Sequence, residues 1–196
     1  MYDLKDKERI FVFTGPDGSG RKTIAKLVAQ TTLQMKGVIS YTTRVRRPYE
    51  IADQDYYFIS EAEFETASNS GEFLESVHIN GNSYGIKEND VRKTFAEKGC
   101  IYLVLNREGS DIVKDLYGDK VIRLFIYADR DTVLSRQKER GDDSEIINLH
   151  LSHYDEDIAY QNKCEHAFEN YKLDHTAYEV TNVIEEYLDL KLSEDC

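Results

Sequence analysis

Cysteine is scarce in this chain, and its arrangement argues against two kinds of stabilised fold. The 196 residues include three cysteines, Cys100, Cys164 and Cys196, with no CxxC pair among them. An odd number of widely spaced cysteines indicates neither a disulfide framework nor a zinc site, so we expect a reducing, cytoplasmic location. A chain of this length can bury an adequate core without such cross-links.

Long apolar runs are missing as well. No run of roughly 18 apolar residues occurs, so the sequence predicts no membrane span. Residues 1–9 are charged and lack the apolar core of a signal peptide, so secretion is not expected.

Positive charge is in short supply: 25 Lys and Arg residues stand against 37 Asp and Glu residues, a formal net charge of −12. Such a chain repels polyanions overall, which argues against a nucleic-acid partner. Five basic residues nevertheless fall into two short clusters, Arg21-Lys22 and Arg44 with Arg46-Arg47. These clusters indicate specific anion sites, with solvated surface charge as the alternative explanation.

Strand and helix patterns alternate along the chain. Apolar runs predict strands at residues 10–13, 100–105 and 121–126, and helical spacing predicts helices at 23–30, 61–66, 87–98, 130–139, 145–163 and 179–192. This alternation is typical of an α/β fold with a parallel sheet. We expect one domain over residues 1–196, with a core of 1–39 and 87–196, an inserted α+β lobe of 40–86 and a lid near 136–150.

The most specific motif is the glycine-rich loop between the first strand and the first helix, GPDGSGRKT at residues 15–23. The spacing of Gly15 and Gly20 is that of loops whose successive N–H groups surround phosphate oxygens, and the following helix adds its positive N-terminal end. The residues expected to bind phosphate are Gly15, Asp17, Gly18, Ser19, Gly20, Arg21, Lys22 and Thr23.

The end of this loop departs from the usual pattern of Lys followed by Ser or Thr. In one interpretation Arg21 stands in the lysine position, with a planar guanidinium in place of a compact ammonium. In the other, Arg21 is inserted and Lys22-Thr23 remain the functional pair, at the cost of wrong spacing. We favour the first interpretation, and both stay open at this point.

Several further blocks resemble the guanylate kinase family. They are SYTTRVRRPYE at residues 40–50, DYYF at 55–58, GEFLE at 71–75, GNSYG at 81–85 and a weaker Arg-x3-Arg-Gly match at 136–141. Together with the loop they follow the order of that family of P-loop nucleoside monophosphate kinases, from residue 10 to about 170. The resemblance implies a P-loop NTPase-type parallel sheet core with an inserted α+β monophosphate-binding lobe and a lid.

The resemblance also implies roles for individual residues. Arg44 and Arg47 would grip the phosphate of GMP, with hydrogen bonds from Tyr56 and Tyr84. Ser40 and Glu75 would read the guanine edge. The residues assigned to phosphoryl transfer are Arg21, Lys22, Arg136, Arg140 and His150. Asn170 would join the glycine loop in the ATP site, and Asn106 would belong to the substrate site.

Three of these positions carry departures from the family. His150 replaces a lid-helix arginine, Asn106 replaces a carboxylate and Ile86 replaces a hydroxyl residue. The expected activity is ATP-dependent phosphorylation of GMP, damped by these changes, with Mg²⁺ held mainly by phosphates and water. The alternative is a catalytically impaired nucleotide-sensing or protein-binding module. Nucleotides are the expected partners, without nucleic acid or membrane; the oligomeric state and protein partners stay open.

Overall fold

The computed structural model describes residues 2–31 and 35–188. The strands are β1 (Arg9–Thr14), β2 (Lys36–Gly37), β3 (Tyr41–Thr42), β4 (Tyr57–Phe58), β5 (Phe73–Ile79), β6 (Asn82–Lys87), β7 (Cys100–Val104), β8 (Val121–Tyr127) and β9 (His166–Glu169). The helices are α1 (Arg21–Ala29), α2 (Glu61–Asn69), α3 (Glu88–Glu97), α4 (Arg107–Tyr117), α5 (Arg130–Arg140), α6 (Ser144–Ser152), α7 (Tyr154–Ala159) and α8 (Leu173–Tyr187).

The core is a five-stranded sheet in the order β2-β7-β1-β8-β9, and all of its pairings are parallel. Strand β1 is buried on both faces, as is usual where helices cover both sides of a parallel sheet. Phe11 and Phe13 pack on the side of α1 and α8, whereas Ile10 and Val12 face α3 and α4. The α/β prediction is therefore confirmed.

A second, four-stranded sheet lies within residues 40–87, in the order β4-β3-β6-β5. Strands β5 and β6 form an antiparallel hairpin, and β3 pairs antiparallel with β6. Helix α2 begins at a capping box in which Ser60 and Glu63 each bind the other's backbone N–H. These elements fall where the sequence predicts an inserted α+β lobe.

The predicted helix over residues 145–163 is wrong as a single element. The chain forms α6, changes direction at His153, forms the short α7 and ends in a 3₁₀ turn, Tyr160–Lys163. The Tyr154 hydroxyl donates to the Ala128 carbonyl at 2.8 Å, and Tyr160 is buried. A straight helix could not carry both aromatic residues to these contacts, because they lie six positions apart.

The end of the chain differs too. The last helix, α8, begins at Leu173 rather than 179, and the predicted residues 189–192 lie outside the described part of the chain. Strand β9 was not predicted, because four residues with one half-buried face give little periodic signal. Within residues 2–31 and 35–188, no helix is both long enough and apolar enough to cross a membrane.

A buried arginine fastens β8 to the segments around it. Arg123 is 9% exposed and contacts Asp111 at 3.0 Å, Glu165 at 3.2 Å and the Tyr160 hydroxyl at 3.3 Å. Burial opposes ionisation of Glu165, but hydrogen bonds from Arg123 and Lys114 bring its pKa down to about 2. The network therefore stabilises the fold mainly through a carboxylate that must stay ionised.

We expect Arg123→Met to lower the free energy of unfolding by about 3 kcal/mol, because it leaves acidic partners without their cation. Since the folded-state pKa of Glu165 lies below its unfolded value, the stabilisation is complete above about pH 4.5 and is lost as pH falls toward 2. The variant should lose this part of the acid dependence.

Urea unfolding between pH 7 and pH 2.5 measures both effects. Arg92→Met is the control, because Arg92 makes an exposed pair with Glu88 at 2.8 Å, of the kind worth about 0.5 kcal/mol or less. Equal losses in the two variants would contradict the structural role of Arg123.

Candidate active site

The sequence motifs converge on one cleft of about 940 Å³ at the carboxyl ends of β1, β7 and β8. In open α/β sheets this is the edge where ligands bind. Most of the predicted site residues line it: Gly15, Asp17, Gly18, Gly20, Arg21, Lys22, Thr23, Ser40, Arg44, Arg47, Tyr56, Glu75, Tyr84, Asn106, Arg136, Arg140 and His150. The other two, Ser19 and Asn170, are buried behind the loop.

The glycines of the loop are required by its backbone. Gly15 has φ +135°, and a Cβ there would overlap the carbonyl oxygen of Ile126 in β8. Gly20 has φ +90° at the N-cap of α1, where a Cβ would overlap the side-chain amide of Asn170. Other residues would be strained at both positions. The close packing holds the loop against the end of β8.

Two predicted site residues brace the loop from behind. The Ser19 carbonyl accepts hydrogen bonds from the Asn170 side chain at 2.8 Å and from Arg136 at 3.1 Å. Arg136 also donates to the Asn170 carbonyl at 2.8 Å. In this state Arg136 links α5 to the loop and the segment after β9, so its side chain fixes the position of the loop.

Arg21 lies back on the loop. One of its terminal nitrogens donates to the Gly15 carbonyl, and the other forms an ion pair with Asp17 at 3.0 Å. The guanidinium thus binds two acceptors of its own loop, although it borders the cleft.

Lys22 points in a different direction, across the cleft to the inserted lobe. Its Nζ lies 2.9 Å from the Asp55 carboxylate and 4.4 Å from the centre of the Tyr56 ring. Lys26, one turn further along α1, contacts the same carboxylate at 3.0 Å. Burial lowers the pKa of Lys22, against the opposing effect of Asp55. Of Arg21 and Lys22, it is therefore Lys22 whose side chain reaches the inserted lobe.

Two of the three arginines of the lobe, Arg44 and Arg47, are positioned by the carboxylate of Glu50, which is buried. Arg44 forms a two-pronged ion pair with it at 2.7 and 3.0 Å, and the Arg47 backbone N–H donates to it at 2.8 Å. The Nε of Arg47 is buried and has no hydrogen-bond partner. Because an unmade hydrogen bond of a buried donor is costly, this nitrogen indicates a site for an acceptor such as an anion.

The lobe also touches the predicted lid. The Tyr49 hydroxyl donates to Asp142 at 2.8 Å and lies 3.0 Å from Arg47. Arg140 binds the same Asp142 carboxylate and lies over the Tyr49 ring, 5.3 Å from its centre. Tyr49 and Asp142 therefore join the two sides of the cleft.

Tyr56 and Tyr84 pack edge to face, with ring centres 6.1 Å apart. Burial raises the pKa of Tyr56 to about 12. Its hydroxyl is therefore protonated at neutral pH and can donate a hydrogen bond into the cleft.

Glu75 is a buried acidic residue of the cleft whose carboxyl group lacks hydrogen-bond partners on one oxygen. It is 3% exposed, and its Oε2 has no hydrogen-bond partner. Burial, with a smaller contribution from the negative charge of Glu108, raises its pKa to about 8. The carboxyl group lies against the first turn of α4, where Gly109 leaves room for it. Such a group is suited to a ligand that presents hydrogen-bond donors.

Asn106 has a structural role beside this pocket. It is the N-cap of α4, and its side-chain oxygen accepts from the Gly109 N–H at 2.9 Å. An aspartate would cap the helix equally well, so the departure from the family leaves α4 intact.

His150 lies between α5 and the loop. Its Nδ1 is 2.6 Å from the Gln137 side-chain oxygen, which can only accept, so Nδ1 carries the proton. Burial lowers the pKa of His150, although Asp17 opposes the shift, and the ring is neutral at pH 7. Its Nε2 lies 3.8 Å from Asp17. At this pH, His150 does not supply the charge of an arginine.

Sequence reasoning assigned no role to several residues that shape the cleft: Lys26, Tyr49, Glu50, Gln137 and Asp142. One signal was available, since Lys26 follows Lys22 by one helical turn. Glu50 also had a signal, since it closes the block at residues 40–50 and binds Arg44 and Arg47 within that block. Tyr49 meets Asp142, and Gln137 meets His150, only through the fold.

Comparisons with known proteins agree with this geometry. The parallel sheet, glycine loop and inserted lobe define a P-loop kinase fold, and the family model described as guanylate kinase matches residues 7–187. The guanylate kinase of Lactococcus lactis is 30% identical over 183 residues, covering 93% of this chain and 89% of the relative. That of Nitrosomonas europaea is 27% identical over 177 residues, covering 90% and 88%.

The guanylate kinase structure from Anaplasma phagocytophilum shares the fold. Its TM-score is 0.74 at 21% identity, covering 96% of this chain and 90% of that one. The chain belongs to the guanylate kinase family, a family of nucleoside monophosphate kinases. The resemblance inferred from the motifs is thereby confirmed.

Burial of Glu75 should make the empty protein less stable at high pH. Its folded-state pKa lies above its unfolded value, so stability declines as pH rises from about 4.5 toward 8. We expect Glu75→Gln to match the wild type near pH 4 and to exceed its free energy of unfolding by about 4 kcal/mol at pH 8.

Urea unfolding across this pH range tests the expectation. Glu72→Gln, three residues earlier in the chain and exposed, should instead follow the wild-type curve apart from a constant offset. A Glu75→Gln variant that is less stable than the wild type at pH 8 would show that the carboxylate is compensated.

Proposed function

We propose that this protein transfers the terminal phosphoryl group of ATP to GMP, producing ADP and GDP. The observation that carries the proposal is the buried Glu75 carboxyl group with its unpartnered oxygen, in the same cleft as the phosphate loop. The proposal is also supported by the membership of this chain in the guanylate kinase family.

Guanine fits the Glu75 pocket by its hydrogen-bonding pattern. Its N1–H and 2-amino group are adjacent donors, and an ionised carboxylate can accept from both. Adenine lacks that pair and would leave the buried oxygens unsatisfied. Ser40, which is buried beside the cleft, offers a hydroxyl to the same edge of the base.

The phosphate of GMP would be held by the lobe. Arg44 and the unpartnered Nε of Arg47 supply positive charge and donors, and Tyr56 and Tyr84 supply hydroxyl groups. Hydrogen bonds to an ionised group are about twice as strong as neutral ones. Because Glu50 fixes Arg44 in advance, little side-chain freedom would be lost on binding.

The residues present fit the phosphates of ATP. Gly15, Gly18 and Gly20 all have positive φ, as expected of a loop whose backbone curves around an anion, and Arg21, Lys22 and Thr23 line the cleft at the start of α1. Among residues 2–31 and 35–188, no three His, Cys, Asp or Glu side chains group to hold a metal. In the proposed reaction, Mg²⁺ is held mainly by phosphates and water and neutralises phosphate charge.

Transfer itself requires alignment and charge neutralisation. Lys22 spans the space between the loop and the monophosphate lobe, and Arg140 approaches from the lid side. The contact of Tyr49 with Asp142 closes the cleft between lobe and lid. Exclusion of water by this closure would limit hydrolysis of ATP.

Two observations favour the second candidate, a nucleotide-sensing module with little or no turnover. Arg21 is engaged by Gly15 and Asp17, and His150 is neutral where the family has an arginine. Loss of a transition-state arginine can reduce turnover by about 10³-fold or more. The lobe that would bind GMP is independent of these changes.

A coupled assay with ATP, Mg²⁺ and individual monophosphates tests the proposal. GMP should be phosphorylated in preference to AMP, CMP and UMP. Arg44→Ala should raise the KM for GMP by about tenfold to a hundredfold, because it removes charge-assisted hydrogen bonds. Tyr84→Phe, a milder change, should raise it several-fold.

Arg46→Ala is the matched control, since Arg46 is exposed and lies outside the cleft-lining set. Its KM for GMP should stay within about threefold of the wild type. Tight GMP binding by calorimetry without turnover of any monophosphate would select the sensing module. Absence of GMP binding would refute both candidates.

A further inference from the structure

The phosphate loop of this protein contains its own anion. Asp17 is the third residue of the loop, lines the cleft and has a side chain that is 49% exposed. Its two carboxylate oxygens face different nitrogens: Oδ1 lies 3.0 Å from Arg21, and Oδ2 lies 3.8 Å from Nε2 of His150. A carboxylate is thus placed in a loop whose backbone is built to surround phosphate.

Asp17 also determines where Arg21 points. The guanidinium is planar and rigid, so binding Asp17 with one terminal nitrogen and the Gly15 carbonyl with the other fixes its whole orientation. Two of its five N–H groups are bound in this way, and the guanidinium cannot turn toward a ligand without breaking these contacts. Arg21, which stands in the lysine position of the loop in the favoured interpretation, is therefore held by Asp17, four residues earlier in the chain.

Other cations of the cleft act on the same carboxylate. Desolvation opposes ionisation of Asp17, but Arg21 and, to a smaller extent, His150, Arg47 and Arg140 keep its pKa below the ordinary value. These arginines come from the loop, the lobe and the lid. In the proposed reaction these three arginines would surround the phosphoryl group during its transfer. Asp17 lies close enough to all three for their positive charges to act on it.

We propose that Asp17 acts as an intramolecular competitor of the nucleotide phosphates. This inference rests on the proposed function and assigns Asp17 the part of a positioning residue that restrains Arg21. For Arg21 to turn onto the phosphate chain of the donor, that chain must displace the Asp17 carboxylate, and it must also bind close to a fixed negative charge. Asp17 therefore limits affinity for the donor, and neutralising it strengthens phosphate binding.

Inorganic pyrophosphate is the probe, because it reports on the phosphate site without turnover. Calorimetric titration at pH 7 should give about tenfold tighter binding to Asp17→Asn than to the wild type, since a like charge is removed and Arg21 is released. Asp17→Ser should behave in the same way. In the coupled assay, the KM for ATP should fall by a similar factor and the KM for GMP should change less.

Asp157→Asn is the matched control. Asp157 lines the same cleft and pairs with Arg107 at 3.8 Å. Its charge acts on Arg21, but Arg21 is held by Asp17 and the Gly15 carbonyl, so removing Asp157 changes the net charge without freeing the guanidinium. Its pyrophosphate affinity should stay within about threefold of the wild type. In an Arg21→Gln background, the gain from Asp17→Asn should shrink to a few-fold, because the released cation is absent.

Unchanged or weaker pyrophosphate binding by folded Asp17→Asn and Asp17→Ser overturns the proposal. So does an equal gain in Asp157→Asn, since net charge would then explain it. Thermal unfolding shows whether each variant folds. If one Asp17 variant does not fold, the pyrophosphate affinity of the other variant tests the proposal. If the wild type does not phosphorylate GMP, the proposed function fails, but the pyrophosphate comparison still tests the role of Asp17.

Discussion

The approach of Gly15 to the Ile126 carbonyl is the contact on which the site depends. It sets the glycine loop against the end of β8, and Asn170 and Arg136 then fix the Ser19 carbonyl from the other side. With the loop held at the carboxyl edge of the sheet, α1 must start there. Lys22 consequently reaches the lobe, whose Tyr56 and Glu75 lie across the same cleft.

Charge distribution decides what this arrangement can bind. Asp17 pairs with Arg21, and Asp55 pairs with Lys22, so these charges are compensated within the chain. Glu75 has a buried oxygen without a partner and is uncharged at neutral pH while the pocket is empty. The cations at the start of α1 are thus paired within the chain, whereas the Glu75 pocket lacks hydrogen-bond donors. In the proposed function, a guanine base supplies those donors and the specificity lies in the lobe.

The sequence predicted the fold class, the glycine loop and the residues that meet in the cleft, because these depend on local patterns and on blocks of the family type. It did not predict that Arg21 would turn back to Asp17 or that α6 and α7 would separate at His153. The first depends on side-chain direction at the start of a helix, and the second on the burial of Tyr160. Neither leaves a periodic signal in the sequence. For the same reason, the assignment of Asn106 to the substrate site did not include its role as the N-cap of α4.

The central claim is that Glu75 reads the base of GMP as a carboxylate, although it is protonated in the empty protein at pH 7. GMP binding should therefore release close to one proton, because the guanine donors require the ionised group and its pKa starts at about 8. Calorimetric titration of GMP at pH 7 in two buffers of different ionisation enthalpy measures this number. The account predicts a release that disappears in Glu75→Gln. Equal proton release by the wild type and Glu75→Gln would contradict it.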